Sequence, residues 1–236
     1  MPARFEELAW RETPLGAISL RRRVEPLLEV EVYEVKLGDE FLMSSLFTVG
    51  EVELARLGLA KPPGRELDVV VGGLGLGYTA RAVLDDARVR SLVVVETLGE
   101  VIGWHEREML PHVAGLVSDP RSRLVLGDFF ALADSSTGLD PETPGRRFDA
   151  VLVDIDHSPR HVLNAAHAAF YTRAGLRRLR RHLKPGGVFA LWSDDPPDAE
   201  FLGVAAEVFT EVEPHVVRFP NPLTCGESAN TVYVAT

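Results

Sequence analysis

An α/β protein is the fold this sequence predicts: a doubly wound, mainly parallel sheet with a small β-rich appendage at its N-terminus. Three observations carry that prediction. From Leu67 onward, short apolar runs alternate with stretches of helical length, as βα units do. The runs are almost continuously apolar, which suits strands covered on both faces. The first of them, Val69-Val-Val-Gly-Gly-Leu-Gly-Leu-Gly77, passes straight from strand into glycines and then into a helix.

Taken in order, residues 1–62 read as an N-terminal β-rich subdomain plus one helix, and residues 63–236 as the main domain. Strands are predicted at 16–22, 27–36 and 40–43, the second with alternating Val residues. Thr48 and Glu51 have capping-box spacing and open a helix to about Gly58. Lys61-Pro-Pro-Gly-Arg65 is a linker by composition. Further strands fall at 67–72, 91–96, 122–126, 148–154, 187–192, 210–218 and 230–235. Helices fall near 78–86, 98–110, 128–133, 171–183 and 197–208. In 171–183, Leu176, Leu179 and Leu183 recur among Arg173, Arg177, Arg178, Arg180 and Arg181, with Lys184 just beyond. This reads as an amphipathic helix with a solvated basic face, ended by Pro185-Gly186-Gly187. Residues 134–147, rich in Pro, Gly and polar side chains, read as a mobile surface loop.

Composition narrows the function classes. Hydrophobic residues make up 46% and charged residues 25% of 236, as in ordinary soluble proteins. The net charge of −10 disfavours a nucleic-acid partner and favours a cationic small molecule. No apolar run reaches membrane-spanning length, and MPARFEELAW lacks the apolar core of a secretory signal. Cys225 is the only cysteine, so a cytoplasmic location is the expectation.

The chemistry gathers at strand ends. Gly73, Gly75 and Gly77 let the chain turn tightly and let a ligand lie against main chain at a helix start. A dinucleotide site competes, since Gly75 to Ala80 also spells G-x-G-x-x-A. Glu96 ends the second strand of the main domain, where a carboxylate accepts from ribose hydroxyls, and Thr97 and Leu98 follow it. Asp128 ends the third, suited to an adenine amino group, with Phe129 or Leu98 packing on the ring. Each acid alone reads equally as a helix cap or a solvated residue. Their occurrence at successive strand ends favours one crevice. Asp154, Asp156 and His157 follow the apolar run AVLV. Asp154 is the candidate catalytic base; Asp156, His157, Glu51 and Asp194 are candidates to hold an acceptor. A hard metal ion on Asp154, Asp156, Asp194 and Asp195 is the competing reading of these acids, with no metal expected.

The stretches GGLGLGYTARAVL, VVVETLGEVI, FDAVLVDIDHSP and LRRHLKPGGVFALWSDDP resemble the class I methyltransferase fold, and more narrowly the spermidine synthase family. That resemblance implies a Rossmann-like transferase with an adenosyl sulfonium co-substrate, S-adenosylmethionine or its decarboxylated form. It also implies Glu96 on the ribose, Asp128 on the adenine, Asp154 beside the attacking amine, and a homodimer. Three positions depart from the family pattern. Leu76 stands where the family has an aspartate in its glycine loop. The second acid after Asp154 comes two residues on, not three. Val49-Gly-Glu51-Val-Glu53 replaces a tyrosine-containing motif. Because Leu76 removes a clamp for the donor's amine, the sequence favours methyl transfer from intact S-adenosylmethionine to a small amine. Aminopropyl transfer from the decarboxylated donor to a diamine comes next, and a non-catalytic nucleoside-binding protein after that.

Overall fold

The computed structural model describes residues 5–236. Two sheets organise them. The first is a four-stranded antiparallel meander of β1 (Phe5–Thr13), β2 (Gly16–Glu25), β3 (Val30–Leu37) and β4 (Glu40–Ser44). Then α1 (Val49–Ala60) leads into a seven-stranded sheet ordered β10-β11-β9-β8-β5-β6-β7. Its elements in chain order are β5 (Leu67–Gly72), α2 (Tyr78–Asp85), β6 (Val89–Glu96), α3 (Gly99–Glu106), β7 (Ser122–Leu126) and α4 (Phe129–Asp134). They continue with β8 (Phe148–Val153), α5 (Arg173–Arg180), β9 (Leu183–Ser193), α6 (Ala199–Ala206), β10 (Val212–Asn221) and β11 (Gly226–Ala235). Strands β5 to β9 run parallel, and β11 and β10 close one edge antiparallel.

Strand periodicity divides the core between the two faces. Val69 and Val71 pack with Leu92, Val94 and Leu152 beneath α1, α2 and α3, and Ile18, Leu20 and Val35 of the small sheet join that face. Val70 packs with Val93, Val95, Val151 and Phe189 beneath α4, α5 and α6. Each such fully buried Val or Leu contributes roughly 1.5–3 kcal/mol relative to exposure. The chain leaves β5 toward β6 on one side and returns through β8 on the other. This topological switch opens a crevice at the carboxyl ends of β5 and β8.

Several expectations are corrected. Strand β1 was not foreseen, because it is an edge strand whose Phe5 and Trp10 face solvent and whose charges hide any alternation. Thr48 precedes α1 but makes no side-chain capping bond. The basic helix stops at Arg180: Leu183, Lys184 and Pro185-Gly186-Gly187 lie in β9, where Lys184 pairs with Asp68 and Asp149. Arg173 and Arg178, assigned to a solvated face, pair with Glu207 and Asp134. Segment 134–147, expected at the surface, is anchored in its middle. Leu139 and Asp140 are buried, and Asp140 pairs with Arg123 at 2.5 Å and Arg146 at 3.0 Å. Helix α1, grouped by sequence with the small sheet, packs on α2 and the large sheet. No helix among the described residues is long and apolar enough to cross a membrane.

Candidate active site

The glycine turn after β5 is held by geometry that only glycine tolerates. Gly73 has φ +93°, and a Cβ there would sit 2.0 Å from the Asp154 carbonyl oxygen. Gly75 has φ +46°, and its Cβ would meet Met43 Sδ of β4 at 2.5 Å. The turn is thus clamped between the end of β8 and the small sheet. His105 of α3 adds a bond from Nε2 to the Gly75 carbonyl at 2.8 Å.

A cavity of about 220 Å³ lies over this turn, lined by Gly73, Gly75, Glu96, Thr97, Leu98, Asp128 and Phe129, among others. Glu96 accepts from the Leu74 amide at 3.0 Å and from the Leu98 amide at 2.9 Å, one on each oxygen. Burial pushes its carboxyl upward, and these backbone donors oppose that. Thr97 donates to the Gly127 carbonyl. Asp128 caps α4: its Oδ1 accepts from the Phe130 and Ala131 amides at 2.9 and 3.2 Å. Capping uses one oxygen and leaves Oδ2 without a partner among the described residues, and Asp128 lines the cavity, so the cap and site readings coexist. The Phe129 ring lies beneath Gly72, where a Cβ would approach it to 2.6 Å.

A second cavity, of about 350 Å³, adjoins the first and shares Met43, Gly75, Asp154, Ile155 and Leu163 with it. Asp154 thus stands at the junction. Its Oδ2 accepts from Thr79 Oγ1 at 2.6 Å, and burial holds its carboxyl above the usual range. Glu51 of α1 faces the same space. Burial, and then the charges of Asp154 and Asp194, push its carboxyl well up. The Glu51 side chain thus lines the cavity and does not complete the capping box. Asp194 is exposed on the wall and accepts from Asn230 Nδ2 at 2.9 Å. His157 lines the cavity with Nε2 3.2 Å from Glu40 Oε1. Apolar walls come from Phe41, Phe47, Leu76, Trp192 and Phe219. The Tyr78 phenol, pushed up to about 12 by burial, also lines it.

Three expected roles move. Asp156, expected to meet the acceptor, is buried and turned away from both cavities. It accepts from the Leu163 amide, His167 Nδ1 and the Tyr171 hydroxyl at 2.7, 2.9 and 2.8 Å. Leu76 and Gly77, expected on the donor, line the second cavity and not the first. The acids offered as metal ligands also diverge: Asp156 points inward and Asp195 pairs with His161 at 2.8 Å. Sequence reasoning missed Met43, Thr79, His105, Leu163, His167, Trp192 and Asn230. They come from six separate elements or loops and carry no motif of their own.

A doubly wound sheet with a glycine turn and acids at successive strand ends is a class I methyltransferase-like fold. Within that class, the Spermine/spermidine synthase domain model matches residues 52–214. The chain belongs to that family. It is 29% identical over 167 residues to polyamine aminopropyltransferase 2 of Pseudomonas aeruginosa, which is 66% of this chain and 44% of that protein. It is 31% identical over 144 residues to the polyamine aminopropyltransferase of Bacillus mycoides, covering 61% of this chain and 46% of that one. The chain therefore spans less than half of the length of these curated relatives. The crystal structure of spermidine synthase from Thermotoga maritima shares the fold, with a TM-score of 0.72, 19% identity, 97% of this chain covered and 72% of that one.

Proposed function

We propose that this chain transfers an aminopropyl group from decarboxylated S-adenosylmethionine to a small amine. The observation that carries it is the junction: Asp154 separates a nucleoside-sized cavity from an acid-lined one. The first would hold the donor, with Glu96 on the ribose and Asp128 on the adenine. The second would hold a cationic acceptor among Glu51, Asp154 and Asp194, with its carbon chain against Phe41, Phe47 and Trp192.

The reaction asks little of the protein beyond alignment and proton removal. The acceptor arrives as an ammonium and must lose a proton before its nitrogen lone pair is free. Asp154, held above the usual carboxylate range by burial, takes that proton, with Glu51 facing the same space beside it. The nitrogen then attacks the carbon bonded to the sulfonium, the carbon–sulfur bond breaks, and its electron pair stays on sulfur as a neutral thioether. Thr79 orients the Asp154 carboxylate through its hydroxyl.

The preference for methyl transfer gives way here for two reasons. The relatives compared above are named for aminopropyl transfer. Leu76, the basis of that preference, lines the acceptor side, so its lack of charge bears on the acceptor more than on the donor's tail. The test is product analysis by mass spectrometry with each donor against a panel of monoamines and diamines. An aminopropylated product is expected, with 5′-methylthioadenosine released. Methylated product from intact S-adenosylmethionine alone would reverse the ordering.

A further inference from the structure

We infer that His167 recognises the exocyclic amine of the donor's adenine, and that Asp156 is the positioning residue that fixes its tautomer. The inference rests on the donor-cavity reading above. It starts from Asp156, which is 1% exposed and outside both cavities, yet accepts three hydrogen bonds. Asp156 Oδ1 already accepts from the Leu163 amide, so the proton between it and His167 Nδ1, at 2.9 Å, belongs to the imidazole. In the neutral ring, Nε2 on the opposite side is then an acceptor. No group among the described residues bonds to it.

The ring is also fixed in orientation. It lies against Phe130 with centroids 4.0 Å apart and planes 30° apart. His167, Phe130 and Asp128 line the donor cavity together, and all three also border an adjoining hollow of about 200 Å³. Gly75 and Asp154, shared by the donor and acceptor cavities, do not border that hollow. His167 therefore sits at the Asp128 end, where the adenine is placed. An adenine amine has two hydrogens, and Asp128 Oδ2 and His167 Nε2 are two acceptors for them. A hypoxanthine base would bring a carbonyl oxygen against both, with no donor at that exocyclic position.

The test uses 5′-methylthioadenosine and 5′-methylthioinosine as probes in calorimetry. The unaltered protein is expected to bind the adenine form about tenfold or more tightly. His167→Phe, which keeps a ring against Phe130, is expected to lose most of that preference. Asp156→Ala, which removes the acceptor that holds the proton on Nδ1 and so frees either tautomer, is expected to reduce the preference for the adenine form by most of its value. A purely structural Asp156 would lower the melting temperature and leave the ratio unchanged. Nitrogen-15 NMR of His167 in the unaltered protein covers the case in which a variant fails to fold. Its Nε2 resonance should move with the adenine probe and not with the inosine probe. An unchanged preference in His167→Phe, or a motionless Nε2 resonance, overturns the inference and leaves the donor reading standing. Failure of the unaltered protein to bind either probe overturns both.

Discussion

The two cavities share a wall at Asp154 but are built in opposite ways. The polar wall of the donor cavity is a product of the large sheet: Gly73, Glu96, Asp128 and Asp154 stand at the ends of four parallel strands that the strand order brings together, and the small sheet adds apolar residues such as Ile18, Val35 and Met43. The acceptor cavity is a product of packing between distant segments. Phe41 comes from β4, Glu51 from α1, Trp192 from β9, Phe219 from β10 and Asn230 from β11. Under the proposed function, geometry fixed by strand ends would restrict the donor to a nucleoside, whereas a wall made of five segments could change its acceptor by changing any one of them.

The largest expected effect is at the shared wall. Asp154→Asn keeps the shape and the hydrogen bond from Thr79 but cannot take a proton. Turnover should fall by about 10²–10⁴, while donor affinity measured by calorimetry should change little. Lost donor binding with normal turnover would place Asp154 within the donor cavity and break the division between the two.

On the donor side, Glu96→Gln should weaken nucleoside binding by about tenfold, the loss of a charge-assisted bond to ribose. It should also cost stability. Glu96 gives one oxygen each to the Leu74 and Leu98 amides, and a glutamine has only one oxygen to offer. The stranded amide costs about 1–3 kcal/mol, read as a lower melting temperature without ligand. An unchanged affinity would remove Glu96 from the ribose.

What could be read in the sequence follows the same division. The glycine turn and the acids ending β6, β7 and β8 were legible because strand, turn and helix follow one another locally. Most strands of the large sheet were legible through their apolar runs. Asp156 was misplaced because its two-residue offset from Asp154 says nothing about which way the chain turns after β8. His167 and Tyr171, which decide that turn, lie 11 and 15 residues further on. Glu51 was found, but its capping-box spacing concealed that tertiary packing turns it into the cavity. Segment 134–147 looked like a surface loop throughout because its composition hides the buried pairing of Asp140.

On the acceptor side, the raised carboxyls of Glu51 and Asp154 set a pH dependence. Between the ordinary carboxylate range and their raised values, the folded chain binds more protons than the unfolded one. Stability therefore falls as pH rises through that window. Activity should rise over the same window as the pair ionises. Glu51→Gln should flatten the loss of stability in thermal melts from mildly acidic to mildly alkaline pH. A melt profile with the same slope as the unaltered protein would show that Glu51 is not the group being ionised.

The smallest expected effect belongs to Asp194, and it separates rim from interior. Asp194 is exposed, and its Oδ1 is already engaged by Asn230. Its attraction for a cationic acceptor acts through solvent, where the screening length is about 10 Å at 0.1 M salt, and exposed pairs contribute about 0.2–1 kcal/mol. Asp194→Asn should therefore raise the acceptor KM only about two- to fivefold at low ionic strength, with kcat unchanged. The difference should vanish near 1 M salt, where the screening length shrinks to about 3 Å. Glu51→Gln, acting from the buried wall, should keep most of its effect there. A salt-insensitive loss in Asp194→Asn would instead mean direct contact with the acceptor, making the outer wall as specific as the inner one.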